Sequence, residues 1–251
     1  MTLPLFALAV SLLSLQMVSS ASLAPQCKNL LDGPVLTIED AVPALAKPEG
    51  SMVTLKCNVF GSPQARVSWF HNGTLIEKHS GAVVEDIANM RSGAWLAMSI
   101  QNARIRIPCL GQSDAGTYTC RAESPCGTIV EAHTQLTVLP ASERVPDCDL
   151  QTRLAPFVSL FTSSRLELEG NKIQLMCRTK EGNGFVQWAV ADAQGEFFHA
   201  IEKYRNFKKL DNGDLLIDTS NIEEATLTFQ CSVINRHGAD AVDGTIVLLS
   251  N

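Results

Sequence analysis

From Leu3 to Val18 the chain is an almost unbroken apolar run without a charge, and the small residues Ser19, Ser20 and Ala21 follow it. The run is short for a ~20-residue membrane span and ends where a signal peptidase cuts, so residues 1–20 are read as a removed secretory signal. Downstream the apolar period changes to two. Behind a turn at Gly50, Val53, Leu55 and Cys57 alternate with Thr54 and Lys56; behind Gly170, Ile173, Leu175 and Cys177 repeat the pattern. Trp69 follows Cys57 by 12 residues and Trp188 follows Cys177 by 11, each with a Val two positions before it. Ile105 and Ile107 lead towards Tyr118 and Cys120 on one side, and Leu215 and Ile217 towards Phe229 and Cys231 on the other. This alternation predicts half-buried strands rather than helices. Turn chemistry falls between the runs, at Asn72-Gly73, Pro125-Cys126-Gly127 and Asn212-Gly213-Asp214. The chain therefore reads as all-β, with one strand pattern present twice.

The run Cys57…Trp69…Asp114-x-Gly116-x-Tyr118-x-Cys120 resembles the immunoglobulin superfamily, of the short C2 or intermediate type. The resemblance implies two tandem β-sandwiches, each with a disulfide between its sheets and a Trp packed on it. Those bonds are Cys57–Cys120 and Cys177–Cys231, and each closes a loop of about 60 residues, worth roughly 4 kcal/mol in the chain-entropy model. Tyr118, two residues before Cys120, is placed to bond the backbone at the corner between strands. The second copy departs from the motif: Ala225, Leu227 and Phe229 stand where Asp, Gly and Tyr are expected, and Phe229 has no hydroxyl to donate. The implied domains are 34–141 and 156–250. A polar, proline-punctuated linker, 142–155, lies between them and leaves the inter-domain angle free unless something restrains it.

Cys27, Cys109, Cys126 and Cys148 remain. Under the immunoglobulin resemblance, Cys27 and Cys126 lie at one pole of the first sandwich and Cys109 and Cys148 at the other. A disulfide needs Cα atoms within ~7 Å. The resemblance thus favours Cys27–Cys126 and Cys109–Cys148, the second bond tying the linker to the first domain. A zinc site is the alternative for four cysteines, but no C-x-x-C spacing occurs.

Net charge is −6, with 10 basic against 13 acidic residues on either side of Leu150 once the signal is set aside. There is no basic domain for nucleic acid. The five histidines show no metal spacing, no catalytic or phosphate-binding motif occurs, and no cofactor is implied. The chain reads as non-enzymatic. No stretch after the signal is long enough to cross a membrane, and the ending Ile246-Val247-Leu248-Leu249 is too short for a lipid-anchor signal. A secreted, extracellular product follows. Asn72-Gly73-Thr74 is its one N-glycosylation sequon, placed on a turn. The stretch Lys203, Tyr204, Arg205, Phe207, Lys208, Lys209 is either a solvated segment balanced by Glu202 and Asp211 or a site for a heparan-like polysaccharide. Trp95 is either core or an exposed binding aromatic.

A signal segment, two immunoglobulin domains and no anchor resemble the secreted two-immunoglobulin (zig) family of nematodes. That resemblance implies a nervous-system role, keeping axons in position through contacts with neuronal surface or matrix proteins. The runs Asn212-Gly213-Asp214-Leu215-Leu216-Ile217 and Leu166-x-Leu168-x-Gly170-x-x-Ile173-Gln174-Leu175-x-Cys177 also resemble an insect secreted protein that binds insulin-like peptides. The alternative partner is therefore a peptide hormone, sequestered by a soluble carrier. The first reading expects a flat polar sheet face, the second an exposed apolar patch or groove.

Overall fold

The computed structural model describes residues 27–79, 84–89, 93–141, 148, 154–179, 184–192 and 194–250. The signal segment assigned to 1–20 lies outside the described residues, as does the 142–155 linker apart from Cys148, Leu154 and Ala155. The first half carries β1 (Val35–Glu39), β2 (Ala44–Pro48), β3 (Val53–Ser62), β4 (Arg66–His71), β5 (Thr74–Lys78), a short helix α1 (Val84–Asn89), β6 (Met98–Ile107), β7 (Gly116–Glu123) and β8 (Ile129–Leu139). The second carries β9 (Val158–Leu168), β10 (Lys172–Leu175), β11 (Cys177–Thr179), β12 (Phe185–Ala191), β13 (Phe198–Ala200), β14 (Phe207–Lys209), β15 (Leu215–Asp218), β16 (Thr226–Asn235) and β17 (Gly238–Leu249). The fold is all-β, two tandem immunoglobulin-like sandwiches.

Alternation explains why each strand faces as it does. Val53, Leu55, Cys57 and Val59 of β3 point inward and meet Val67 and Trp69 of β4, Tyr118 of β7 and Leu136 of β8. In the second core, Ile173 and Leu175 of β10 meet Trp188, Ile217, Phe229 and Ile246. Both Trp69 and Trp188 are core residues; the Trp188 indole N–H donates to Gly213 O at 2.8 Å. The Tyr118 hydroxyl donates to Asp114 O at 3.0 Å, four residues upstream. At the corresponding place Phe229 has no such bond and instead meets the Phe207 ring edge-on at 5.2 Å. The β4–β5 turn holds Asn72 at φ 48° and Gly73 at φ 81°, the left-handed pair a two-residue hairpin needs. Asn72 is exposed, and its Oδ1 accepts the Thr117 N–H at 2.9 Å.

Four disulfides are present. Cys57–Cys120 and Cys177–Cys231 cross the two cores, Cys27 joins Cys126, and Cys109 joins Cys148, with Cα separations of 6.4, 6.4, 5.9 and 4.8 Å. Trp95 is fully buried, in a satellite cluster with Cys27, Leu30, Ala97 and Cys126. The choice left open for it in the sequence falls to packing.

The chief departure from the sequence reading is the joint between the domains. A linker with a restrained angle is expected; the structure instead runs one sheet through both domains. The order β1-β3-β6-β9-β17-β16-β12-β13 makes β9, the first strand of the second domain, the neighbour of β6 in the first, and β11 also pairs with β9 in a nine-stranded sheet. The first domain is closed by the sheet β2-β8-β7-β4-β5 and the second by β10-β15-β14.

Candidate functional site

The joint is made by exchange of strand edges. In an immunoglobulin sandwich of this type the sheet continues past the equivalent of β6 with one further strand. Here the chain between β5 and β6 includes α1, and the open edge of β6 is taken by β9. The pairing is antiparallel, from Met98↔Leu166 to Ala103↔Leu160, with a register shift between Ile100 and Gln101. An unpaired strand edge buried in a protein carries orphan N–H and C=O groups, which cost free energy unless satisfied. Because β9 lies against β6, β10 needs another neighbour. Side chains of the first domain supply it. Asn89 of α1 accepts the Lys172 N–H at 2.8 Å and donates to Lys172 O at 2.8 Å. Glu85, one helical turn earlier, accepts the Gln174 N–H, and Gln64 donates to Gln174 O at 2.7 Å. One turn of helix thus does the work of a strand.

Beneath this edge lie fully buried charges. The Arg165 guanidinium sits 3.1 Å from a Glu85 oxygen and 3.1 Å from a Glu167 oxygen, and all three side chains are 0% exposed. Glu167 also accepts the N–H groups of Leu96 at 2.8 Å and Ala97 at 3.0 Å, and the Asn171 amide at 3.1 Å. Burial raises the pKa of the Glu85 carboxyl, and Arg165 partly opposes the shift. Asp214 is likewise buried and holds Arg178 through two contacts, at 3.1 and 2.6 Å. Sequence reasoning missed all of these residues. The signal was present in β9, where Arg165 and Glu167 alternate within an otherwise apolar and hydroxyl strand; the bulge beside Gln101 turns that face inward.

His79 closes the joint from the first domain. It is 7% exposed, and burial together with the Arg178 charge lowers its pKa to about 4. A folded pKa below the unfolded value of 6.5 means that the folded state binds fewer protons between the two. Stability from this group is complete above pH 6.5 and is lost as pH falls through 4. His79→Gln is therefore expected to remove about 3 kcal/mol of the pH dependence between pH 7 and 4, read as a smaller shift in thermal midpoint than wild type shows. Glu85, whose pKa moves the other way, contributes with opposite sign and is common to both proteins.

The outward face of the fused sheet crosses the joint without a break. Cross-strand partners put Phe60, Ile100, Ser164, Thr245 and Thr228 in one row, and Met98, Leu166, Val247 and Thr226 in the next. Ile100 is 37% exposed and the apolar members beside it are half-buried. Around this apolar centre stand Lys56, Asn58, Asn102, Gln230, Asp243 and Gln187. Arg104 fixes one margin: it donates to Val158 O, pairs with Asp240 at 2.8 Å and lies 4.5 Å over the Phe157 ring. Arg106 stacks on the same ring at 4.7 Å.

The predicted sites are dispersed relative to this face. Asn72 lies on the β4–β5 turn of the five-stranded sheet. Lys203 to Lys209 runs through a 3-10 turn into β14, with Lys203, Tyr204, Arg205, Lys208 and Lys209 exposed and Phe207 packed towards the core. Among the described residues no group of His, Cys, Asp and Glu is placed to hold a metal ion, and no helix is long and apolar enough to cross a membrane.

Comparison with known proteins agrees with this architecture. A family profile described as immunoglobulin domain matches residues 34–124. The zwei Ig domain protein zig-3 of Caenorhabditis elegans is 26% identical over 210 residues, 84% of this chain and 79% of the relative. The zwei Ig domain protein zig-4 of the same organism is 26% identical over 194 residues, 76% of this chain and 71% of the relative. The crystal structure of neural ectodermal development factor IMP-L2 superposes with a TM-score of 0.60 at 19% identity, covering 87% of this chain and 97% of that one. The chain is two tandem immunoglobulin-like sandwiches, with the zwei Ig domain proteins of C. elegans among its homologues over most of its length.

Proposed function

We propose that this is a secreted, non-enzymatic extracellular protein that holds one folded partner across both domains, on the outward face of the fused sheet. The observation that carries the reading is the continuity of that face: an apolar centre on the joint and a polar rim on both sides, the anatomy of a protein interface. A joint made of paired strands and buried charges presents the two halves in a fixed arrangement, so little ordering cost falls on binding. The setting of this reading, the maintenance of axon position through a neuronal surface or matrix protein, is what the resemblance to the two-immunoglobulin family of nematodes implies. A glycan on Asn72, outside the nine-stranded sheet, leaves the face clear.

The apolar cluster Met98, Ile100, Leu166 and Val247, spread over two neighbouring rows, supports a second reading, capture of an insulin-like peptide hormone by a soluble carrier. Ile100→Asp separates face from scaffold, because Ile100 lies on the outward face and belongs to neither core cluster. Purified wild-type protein is expected to bind neuronal membrane preparations, and Ile100→Asp to bind at least tenfold more weakly with unchanged thermal midpoint. Equal binding by the variant rejects the face. Saturable calorimetric binding of an insulin-like peptide, with none to membranes, selects the carrier.

A further inference from the structure

A second recessed surface exists only because the domains are joined. Lys78 and His79, at the end of β5, face Arg178, Phe185, Lys209 and Asp211 of the second domain across an open cleft of about 670 Å3. Clefts at domain junctions are common ligand sites. Among the described residues, Lys78, Arg178 and Lys209 line this one with a single surface carboxylate, Asp211, in a chain whose net charge is −6. Asp214, beneath Arg178, is fully buried and engaged by Arg178, Gln174 and Asn212. Lys78 and Lys209 are exposed on opposite sides of the junction. Phe185 is 60% exposed, with the Lys209 ammonium 4.2 Å over its ring, so a large aromatic stands in water beside a cation. The Lys209 ammonium also donates to Val186 O at 2.9 Å, which holds it beside the ring, and an aromatic anchor beside one cation with another across the cleft is the composition of a recognition pocket. His79 Nε2 is 3.2 Å from a Glu77 oxygen yet has no aligned hydrogen bond among the described residues.

We propose that this cleft binds an acidic peptide segment, with one carboxylate between Lys78 and Lys209 and an apolar neighbour against Phe185. Asp211 and the few cations favour a single carboxylate over a continuous sulfated chain, which needs an unbroken basic track. The site shares no residue with the sheet face, so either can fail alone.

The test uses the full mature chain, labelled with 15N, and the acetylated, amidated tetrapeptide Glu-Leu-Glu-Phe as probe. Saturable amide shifts are expected at Thr179, Phe185 and Leu210 to Gly213, falling as salt rises. The pair Lys78→Glu and Lys209→Glu should weaken binding at least tenfold at an unchanged thermal midpoint. The reversed protein should instead bind Lys-Leu-Lys-Phe, and Ile100→Asp should leave the probe's affinity as it is. Absence of shifts in the cleft, equal affinity in the reversed protein, or shifts there with a heparin-derived hexasaccharide but not with the peptide would each overturn the proposal.

Discussion

Arg165→Met is expected to cost about 3–5 kcal/mol, a large part of the ~5–15 kcal/mol that holds a domain folded. The reason is what it leaves behind. Arg165 is the cation between two wholly buried carboxylates, and it also donates to Met98 O at 3.1 Å across the β6–β9 pair. Without it Glu85 is buried against Glu167 with no positive charge in contact. Glu167 keeps its N–H donors from Leu96, Ala97 and Leu168. Glu85, already raised by burial, then takes up a proton, and a protonated oxygen is a poorer acceptor for the Gln174 N–H. The loss should appear as a lower urea midpoint for both domains together, because the broken contacts belong to both. Adding Glu85→Gln to Arg165→Met should recover part of the stability, because the amide is neutral without taking up a proton and its oxygen can still accept the Gln174 N–H. If Arg165→Met lowered the midpoint of the second domain alone, the view of the joint as shared structure would be wrong.

That joint marks the limit of what the sequence discloses. The alternation around Cys57, Trp69 and Cys120 and its second copy around Cys177 and Trp188 specify strands and buried faces, because burial on a pleated strand depends on local period. Domain docking has no such period. Glu85 and Asn89 stand one turn apart in a six-residue helix, and nothing local tells that they will satisfy a strand edge more than 80 residues away. Arg165 and Glu167 occupy alternate positions of β9 and read as a solvent-facing side until the shift beside Gln101 reverses the parity. Gln64 and Gln174 carry no local signal of burial, although each is 1% exposed or less. Buried polar residues are thus where pattern reading fails, since their partners come from another domain. The same holds for the candidate site. Each strand of the sheet face is readable, but the face itself arises only when β9 joins β6.

Trp95→Ala should be the other large loss, and it tests how far the joint extends. Truncating a fully buried Trp costs about 3–5 kcal/mol through lost contacts and the cavity left behind. Trp95 is 0% exposed, and its backbone is laddered to the N-terminal segment: its N–H donates to Asn29 O at 3.2 Å, and the Leu31 N–H donates to its carbonyl at 3.1 Å. The Cys27–Cys126 bond anchors that segment from the other side. Leu96 and Ala97 follow directly, and their N–H groups are the ones Glu167 accepts from the second domain. A cavity under Trp95 should therefore loosen residues 95–97 and withdraw donors from a buried carboxylate beside Arg165. Amide exchange at Leu96 and Ala97 is expected to quicken by at least tenfold, with a smaller rise at Gln174, whose N–H is bound to Glu85. Replacing Cys27 and Cys126 together with Ser should have the same direction and a smaller size, since Leu30 can still pack on the indole. Unchanged exchange at Leu96 and Ala97 in Trp95→Ala, despite lower stability, would mean that the N-terminal segment braces the first domain only and that the joint rests on β9, Arg165 and its two carboxylates.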